Sequence, residues 1–150
     1  MMPTVLRATN ELVAAGWLAG LPELDANMVG PSLPNDNTTW AASGFVQVTT
    51  VGGGPNIYVK VRKPVVQVDC WAVSPSSNKA PWGKANYLAE VIRSGADDHP
   101  SVPRDVVLPG NYPTARVLTA YLLTEPRKVL GDSSSYARYQ FDLQMDWVEL

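Results

Sequence analysis

Between Ala137 and Trp147 apolar and polar positions alternate without a break. The odd positions are Ala137, Tyr139, Phe141, Leu143, Met145 and Trp147; the even ones are Arg138, Gln140, Asp142, Gln144 and Asp146. A period of two predicts a β-strand with one face for a core and one for water or a neighbouring subunit. The same period recurs upstream. Phe45 to Val51 predicts a strand, Gly52-Gly53-Gly54-Pro55-Asn56 a hairpin turn, and Ile57 to Arg62 a return strand. Pro64 has no N–H to give a ladder, which places a break or bulge there. Val65 to Val73 resumes the pattern, with Val66, Val68, Cys70 and Ala72 opposed to Gln67, Asp69 and Trp71. Arg116 to Thr124 is apolar on both sides, as expected of a central strand.

Two segments follow a helical period instead. Thr4 to Ala19 places Leu6, Asn10, Val13 and Trp17 on one side, with Thr4 as a cap and Gly20 and Pro22 as the stop. A second helix begins at Pro81, carries the stripe Ala85, Leu88, Ala89 and Ile92, and ends near Gly95. Matched periodicity sets Leu88 and Ile92 against Val68, Leu143 and Trp147. Leu21–Ser43, with Trp40 as its anchor, and Asp97–Thr114 lack any period and are long connections of the kind that serve function or meet a partner. Glu125–Ser135 leads into the last strand. The order of elements predicts an α+β fold: one domain over residues 1–150, mainly antiparallel, with two helices packed on one face of the sheet.

Composition narrows the chemistry. The chain of 150 residues is long enough to hold a core without staples. A formal net charge of −2 gives no phosphate-binding surface. Cys70 is the only cysteine, which excludes an internal disulfide and a cysteine zinc site, and fits synthesis in a reducing cytoplasm. The start, Met1-Met2-Pro3-Thr4, does not read as a secretory leader, and no run nears the roughly 20 apolar residues of a membrane span. The 13 prolines and 11 glycines cluster between the periodic segments and predict long ordered loops.

Each candidate for chemistry has a plainer reading. Gly52-Gly53-Gly54 lacks the lysine and hydroxyl residue that follow in a phosphate loop, and reads as a hairpin tip. His99, beside Asp97 and Asp98, sits in a proline-rich segment without a nucleophile and reads as an exposed loop residue. Asp69, Asp142 and Asp146 could share a sheet face and hold a magnesium ion or do acid–base work, but strand alternation accounts for them equally. Cys70 reads as a small core residue. Asn37-Thr38-Thr39 matches a glycosylation sequon that means nothing without a leader. Lys60, Arg62 and Lys63 are the one basic cluster; they face a phosphate or acidic neighbour, or simply protect a strand edge.

Three stretches together resemble a known family: the strand Val66-Gln67-Val68-Asp69-Cys70-Trp71-Ala72, the helix Ala85-Asn86-Tyr87-Leu88-Ala89-Glu90-Val91-Ile92, and the terminal Arg138-Tyr139-Gln140-Phe141-Asp142-Leu143. In layout and in these motifs the chain resembles the tail terminator (tail completion) proteins of long-tailed bacteriophages, especially those of actinobacterial hosts. Cys70 stands where a β-branched residue is usual, and the loop Asp97–Thr114 is longer than the family's minimum. The resemblance implies a structural virion protein, assembled in the host cytoplasm. It forms a ring, commonly a hexamer, at the head-proximal end of the tail tube, ends tube polymerisation and joins the tail to the head connector. It implies no catalytic residue, metal or cofactor. Its partners would be further copies of itself, the tail tube protein and the connector proteins, with DNA passing through unbound and no membrane involved. The expected contacts are Gly52, Gly53, Gly54, Pro55 and Asn56 at the hairpin, the connection Leu21–Ser43, and Pro103, Pro109 and Tyr112 in the loop Asp97–Thr114. The expected lumen residues are Asp142, Asp146 and Glu149, and a slightly acidic lining would let DNA slide past without phosphate contacts. Another head–tail neck component is the nearest alternative; a small metal-dependent enzyme or ligand-binding domain is the alternative from a different class.

Overall fold

Helix α1 (Asn10–Ala19) and helix α2 (Trp82–Asp97) cover one side of a sheet of seven strands. The strands are β1 (Val29–Gly30), β2 (Phe45–Pro55), β3 (Arg62–Val73), β4 (Arg104–Val106), β5 (Ala115–Leu122), β6 (Arg127–Lys128) and β7 (Tyr136–Glu149). Their order is β1-β2-β3-β7-β5-β4, with β6 paired beside β5 on β7. Every pairing is antiparallel except β1 with β2. The α+β expectation therefore holds. The computed structural model describes residues 7–55, 58–74, 76, 79–130 and 136–150. Among them no helix is long and apolar enough to cross a membrane.

The alternation of β7 sets the architecture. Ala137, Phe141, Leu143, Met145 and Trp147 are buried, while the even positions are only partly covered. Val68, Leu143, Trp147, Leu88 and Ile92 belong to one buried cluster, as the matched periods predict. Trp147 donates its indole N–H to Asn10 Oδ1 at 3.0 Å, and Trp17 donates to the Val102 carbonyl at 3.1 Å, so both large rings satisfy their polar atom inside the core. The opposite face carries a smaller cluster of Trp40, Phe45, Trp71 and Val73, with Tyr136 packed against it. Trp40 does anchor the long connection: the segment around it folds over that end of the sheet.

Several boundaries move for physical reasons. Thr4 and Leu6 lie outside the described residues. Arg7 and Ala8 are not helical, because the Glu149 carboxylate accepts the Ala8 N–H at 2.9 Å and pairs with Arg7 at 3.1 Å, drawing the segment to the end of β7. Thr9 then caps α1 by accepting the Leu12 N–H. Gly95 does not end α2. It lies inside the helix, which runs on to Asp97, and a Cβ there would stand 2.5 Å from Leu21 Cδ2, so glycine permits the close approach of Leu21.

The strands depart from simple alternation at two bulges. Gly52, Gly53, Gly54 and Pro55 are not the turn; they extend β2 and pair with Val65, Pro64, Lys63 and Arg62. Ile57 is outside the described residues and Tyr58 to Val61 are not strand, so the return strand starts at Arg62. Pro64 does not break β3. The ladder to β7 skips from Arg62↔Trp147 to Val65↔Gln144 in unchanged register, and the bulge falls opposite, at Val51 of β2. A second bulge at Leu118 shifts the phase of β5, so that Ala115, Val117 and Ala120 all reach the core. This is why the segment reads as apolar on both sides: β5 is interior to the sheet but buried on one face.

Candidate assembly surfaces

The sheet face left open by the helices is polar but ordered. Asp69 lies there at 4% exposure, beneath its neighbours. Its Oδ1 accepts Gln140 Nε2 at 2.9 Å and its Oδ2 accepts Gln67 Nε2 at 3.3 Å. Arg127 donates to Gln140 Oε1 at 2.6 Å, so a relay from guanidinium to amide to carboxylate spans β6, β7 and β3. The Arg138 guanidinium stacks 4.9 Å above the Trp71 ring with its Nε 3.8 Å from Asp69, and Trp71 donates to Gln47 Oε1 at 3.1 Å. Hydrogen bonding to a charged group in a nearly dry setting makes this network rigid. Asp142 and Asp146 share the face, and the Asp142 N–H donates to Thr124 Oγ1. Glu149 does not: it is in the odd phase, on the side of Trp147, and holds Arg7 and Ala8. Asp69, Asp142 and Asp146 thus share one sheet face, as expected, and of the expected lumen set Glu149 alone falls on the other. Among the described residues no group of three or more His, Cys, Asp or Glu side chains is placed to hold a metal ion. His99 is exposed in a short 3₁₀ turn. Cys70 is fully buried, and burial, with a smaller contribution from the Asp69 charge, pushes its thiol pKa well above the ordinary range, leaving an inert core residue.

The second surface is the arm formed by the outer halves of β2 and β3. Gly52, Gly53 and Gly54 are exposed there, with Lys60 and Lys63 beside them. Glu11 accepts the Thr50 N–H at 3.0 Å; beyond it, no strand among the described residues pairs with the outer edge of β2. Gly53 has φ +86°, and an added Cβ would lie 2.1 Å from the Lys63 carbonyl, so glycine is required. Asn56 lies outside the described residues. Arg62 stacks 5.5 Å from the Trp147 ring and lines a cleft together with Lys63 and Gly52–Gly54. In the loop Asp97–Thr114, Pro103 and Pro109 are exposed, whereas Tyr112 is half-buried against the main core and ties the loop down.

The third surface is one the sequence does not reveal. A groove of about 490 Å³ runs between the end of α1, the outer side of α2 and the start of β4. Leu21, Pro22 and Val91 give it apolar walls, and Glu23, Glu90 and Asp98 line it with carboxylates. Arg104 is committed inward: its guanidinium stacks 4.8 Å over Trp17 and donates to the Trp17 carbonyl, and its partial burial lowers its pKa. Glu23 is the only non-glycine with positive φ among the described residues, at 70°, and accepts a hydrogen bond from the Tyr87 hydroxyl. That bond is the main reason the Tyr87 pKa is raised. The groove draws on three segments remote in sequence, so no local motif marks it.

No protein-family model matches the chain, and no curated protein matches it in sequence. Among solved structures, its fold is similar to that of a chain in the virion of a native gene transfer agent particle. The two are 14% identical, the alignment covers 93% of this chain and 92% of the other, and the TM-score is 0.50. The likeness spans the fold from end to end and is one of fold alone.

Proposed function

We propose that this chain is a structural protein of a phage-like virion, and specifically a tail terminator: a ring protomer, in a hexamer, at the head-proximal end of the tail tube. The observation that carries this reading is the fold shared along nearly its whole length with a component of the gene transfer agent virion. The motifs around Asp69, Leu88 and Phe141 support the narrower assignment. In this reading the ring stops tube growth on one side and meets the head connector on the other, and the protein works by its surfaces, without catalysis or cofactor. The open face of the sheet suits a channel wall, since Arg127, Gln140, Asp69 and Arg138 engage one another and, with Asp142 and Asp146 beside them, leave no uniform positive field to grip phosphates. Asp142 and Asp146 line the lumen; Glu149 instead braces the N-terminal segment. The exposed strand edge at Gly52–Gly54 and the loop at Pro103 and Pro109 meet neighbouring subunits.

Deleting the gene from the virus that carries it tests the assignment. Loss of a terminator leaves tubes that overgrow and heads without tails. Tails of normal length on intact particles would refute it, and heads that fail before tail attachment would move the protein to another neck position.

A further inference from the structure

We propose that the β2–β3 arm of one copy of this chain docks in the α1–α2 groove of the next copy. The inference rests on the ring reading above and names one contact between its subunits. Among the described residues near the arm's end, Tyr58 is 89% exposed and Val59 52%, followed by Lys60, with Lys63 exposed on the adjoining strand. The groove is its complement, with Pro22 and Val91 for the apolar side chains and Glu23, Glu90 and Asp98 for the lysines. Among the described lining residues Arg104 is the one cation; it is stacked on Trp17, and three carboxylates outnumber it. An aromatic anchor in a pocket supplies affinity, and opposed charge at the rim fixes orientation.

The two surfaces lie at opposite ends of α1. Asn10 lines a cleft with Gly52–Gly54 and Arg62, and Gly20 lines the groove. A helix of 10 residues separates them by about 15 Å. Arm and groove are therefore distinct patches, and their contact is head-to-tail, the kind that closes into a ring when the rotation allows.

The test links two variants of the full-length chain with a bismaleimide. Val59→Cys places a thiol on the arm and Ser94→Cys one in the groove; buried Cys70 stays silent. The mixture should give a cross-linked dimer well above that of a control pair with Val107→Cys in place of Val59→Cys. Adding Lys60→Glu and Lys63→Glu to the arm partner should cut the yield about fivefold, and adding Glu23→Lys and Glu90→Lys to the groove partner should restore it. A yield no higher than the control, or one indifferent to the charges, overturns the proposal. A virion protein that joins its neighbours elsewhere fails this test while still producing overgrown tubes on deletion, so the two readings fall separately.

Discussion

The packing of α2 on the sheet can be tested through one pair of residues. Gly44 has φ +81°, and a Cβ added there would stand 2.6 Å from Leu88 Cδ1 and 3.1 Å from the Trp71 carbonyl. Leu88 is 4% exposed within the main core. Leu88→Ala should cost about 2–5 kcal/mol, the transfer of the side chain plus the cavity it leaves. Gly44→Ala should cost about 2–4 kcal/mol, part of it the left-handed backbone and part the clash. The double variant should not cost the total of the two. Removing Leu88 Cδ1 abolishes the clash, and the new methyl fills part of the cavity, so only the backbone strain and the Trp71 contact remain. We expect a favourable coupling of about 1–2 kcal/mol, read from urea unfolding curves of the four proteins with equal slopes. Additivity to within about 0.5 kcal/mol would mean that α2 does not lie over Gly44, and would remove the basis for the buried cluster described above.

Three further outcomes follow from the same geometry. Gly53→Ala should open the arm, because its Cβ would meet the Lys63 carbonyl; amides of Gly54 and Lys63 should exchange faster while global stability barely changes, and unaltered protection there would refute the pairing. Asp69→Ala should lower stability by about 2–4 kcal/mol, since Gln67, Gln140 and Arg138 lose a nearly buried acceptor; a loss under about 0.5 kcal/mol would show the network to be idle. Glu125 should titrate by NMR below the ordinary carboxylate range, chiefly because Arg93 hydrogen-bonds it, and Arg93→Gln should return it to that range. A folded pKa below the unfolded one means that this pair's stabilisation is present above the unfolded value and fades as pH falls through the folded one.

Long periodic elements were legible in the sequence because packing on one face imposes a period. β7 and α2 follow that rule closely, with Tyr139 only partly covered; β3 follows it through Gln67, after which Asp69, Trp71 and Val73 on the other face are buried as well. The rule fails where an extra residue shifts the phase. Val51 and Leu118 each do so, which hides the extension of β2 and makes β5 look apolar on two sides. β1, β4 and β6 have two or three residues each and exist through pairing, so no period announces them. The glycine run read as a turn because glycines usually mark one; here a positive φ at Gly53 serves a paired strand. Of the candidate lumen residues, Asp142 and Asp146 keep the even phase of β7. Glu149, expected with them on the polar face of the last strand, has the odd phase and lies with Trp147. The groove could not be read, since Leu21, Glu90 and Arg104 meet only in the folded chain.

The ring proposed for this chain between tail tube and head is open to direct observation. Cryo-electron microscopy of the intact particle that encodes it measures that directly. We predict one ring of this fold at the tube–neck junction, with the face of Asp69, Asp142 and Asp146 turned to the channel and the helices outward. Density for this chain along the tube, inside the capsid or nowhere in the particle would rule the ring out.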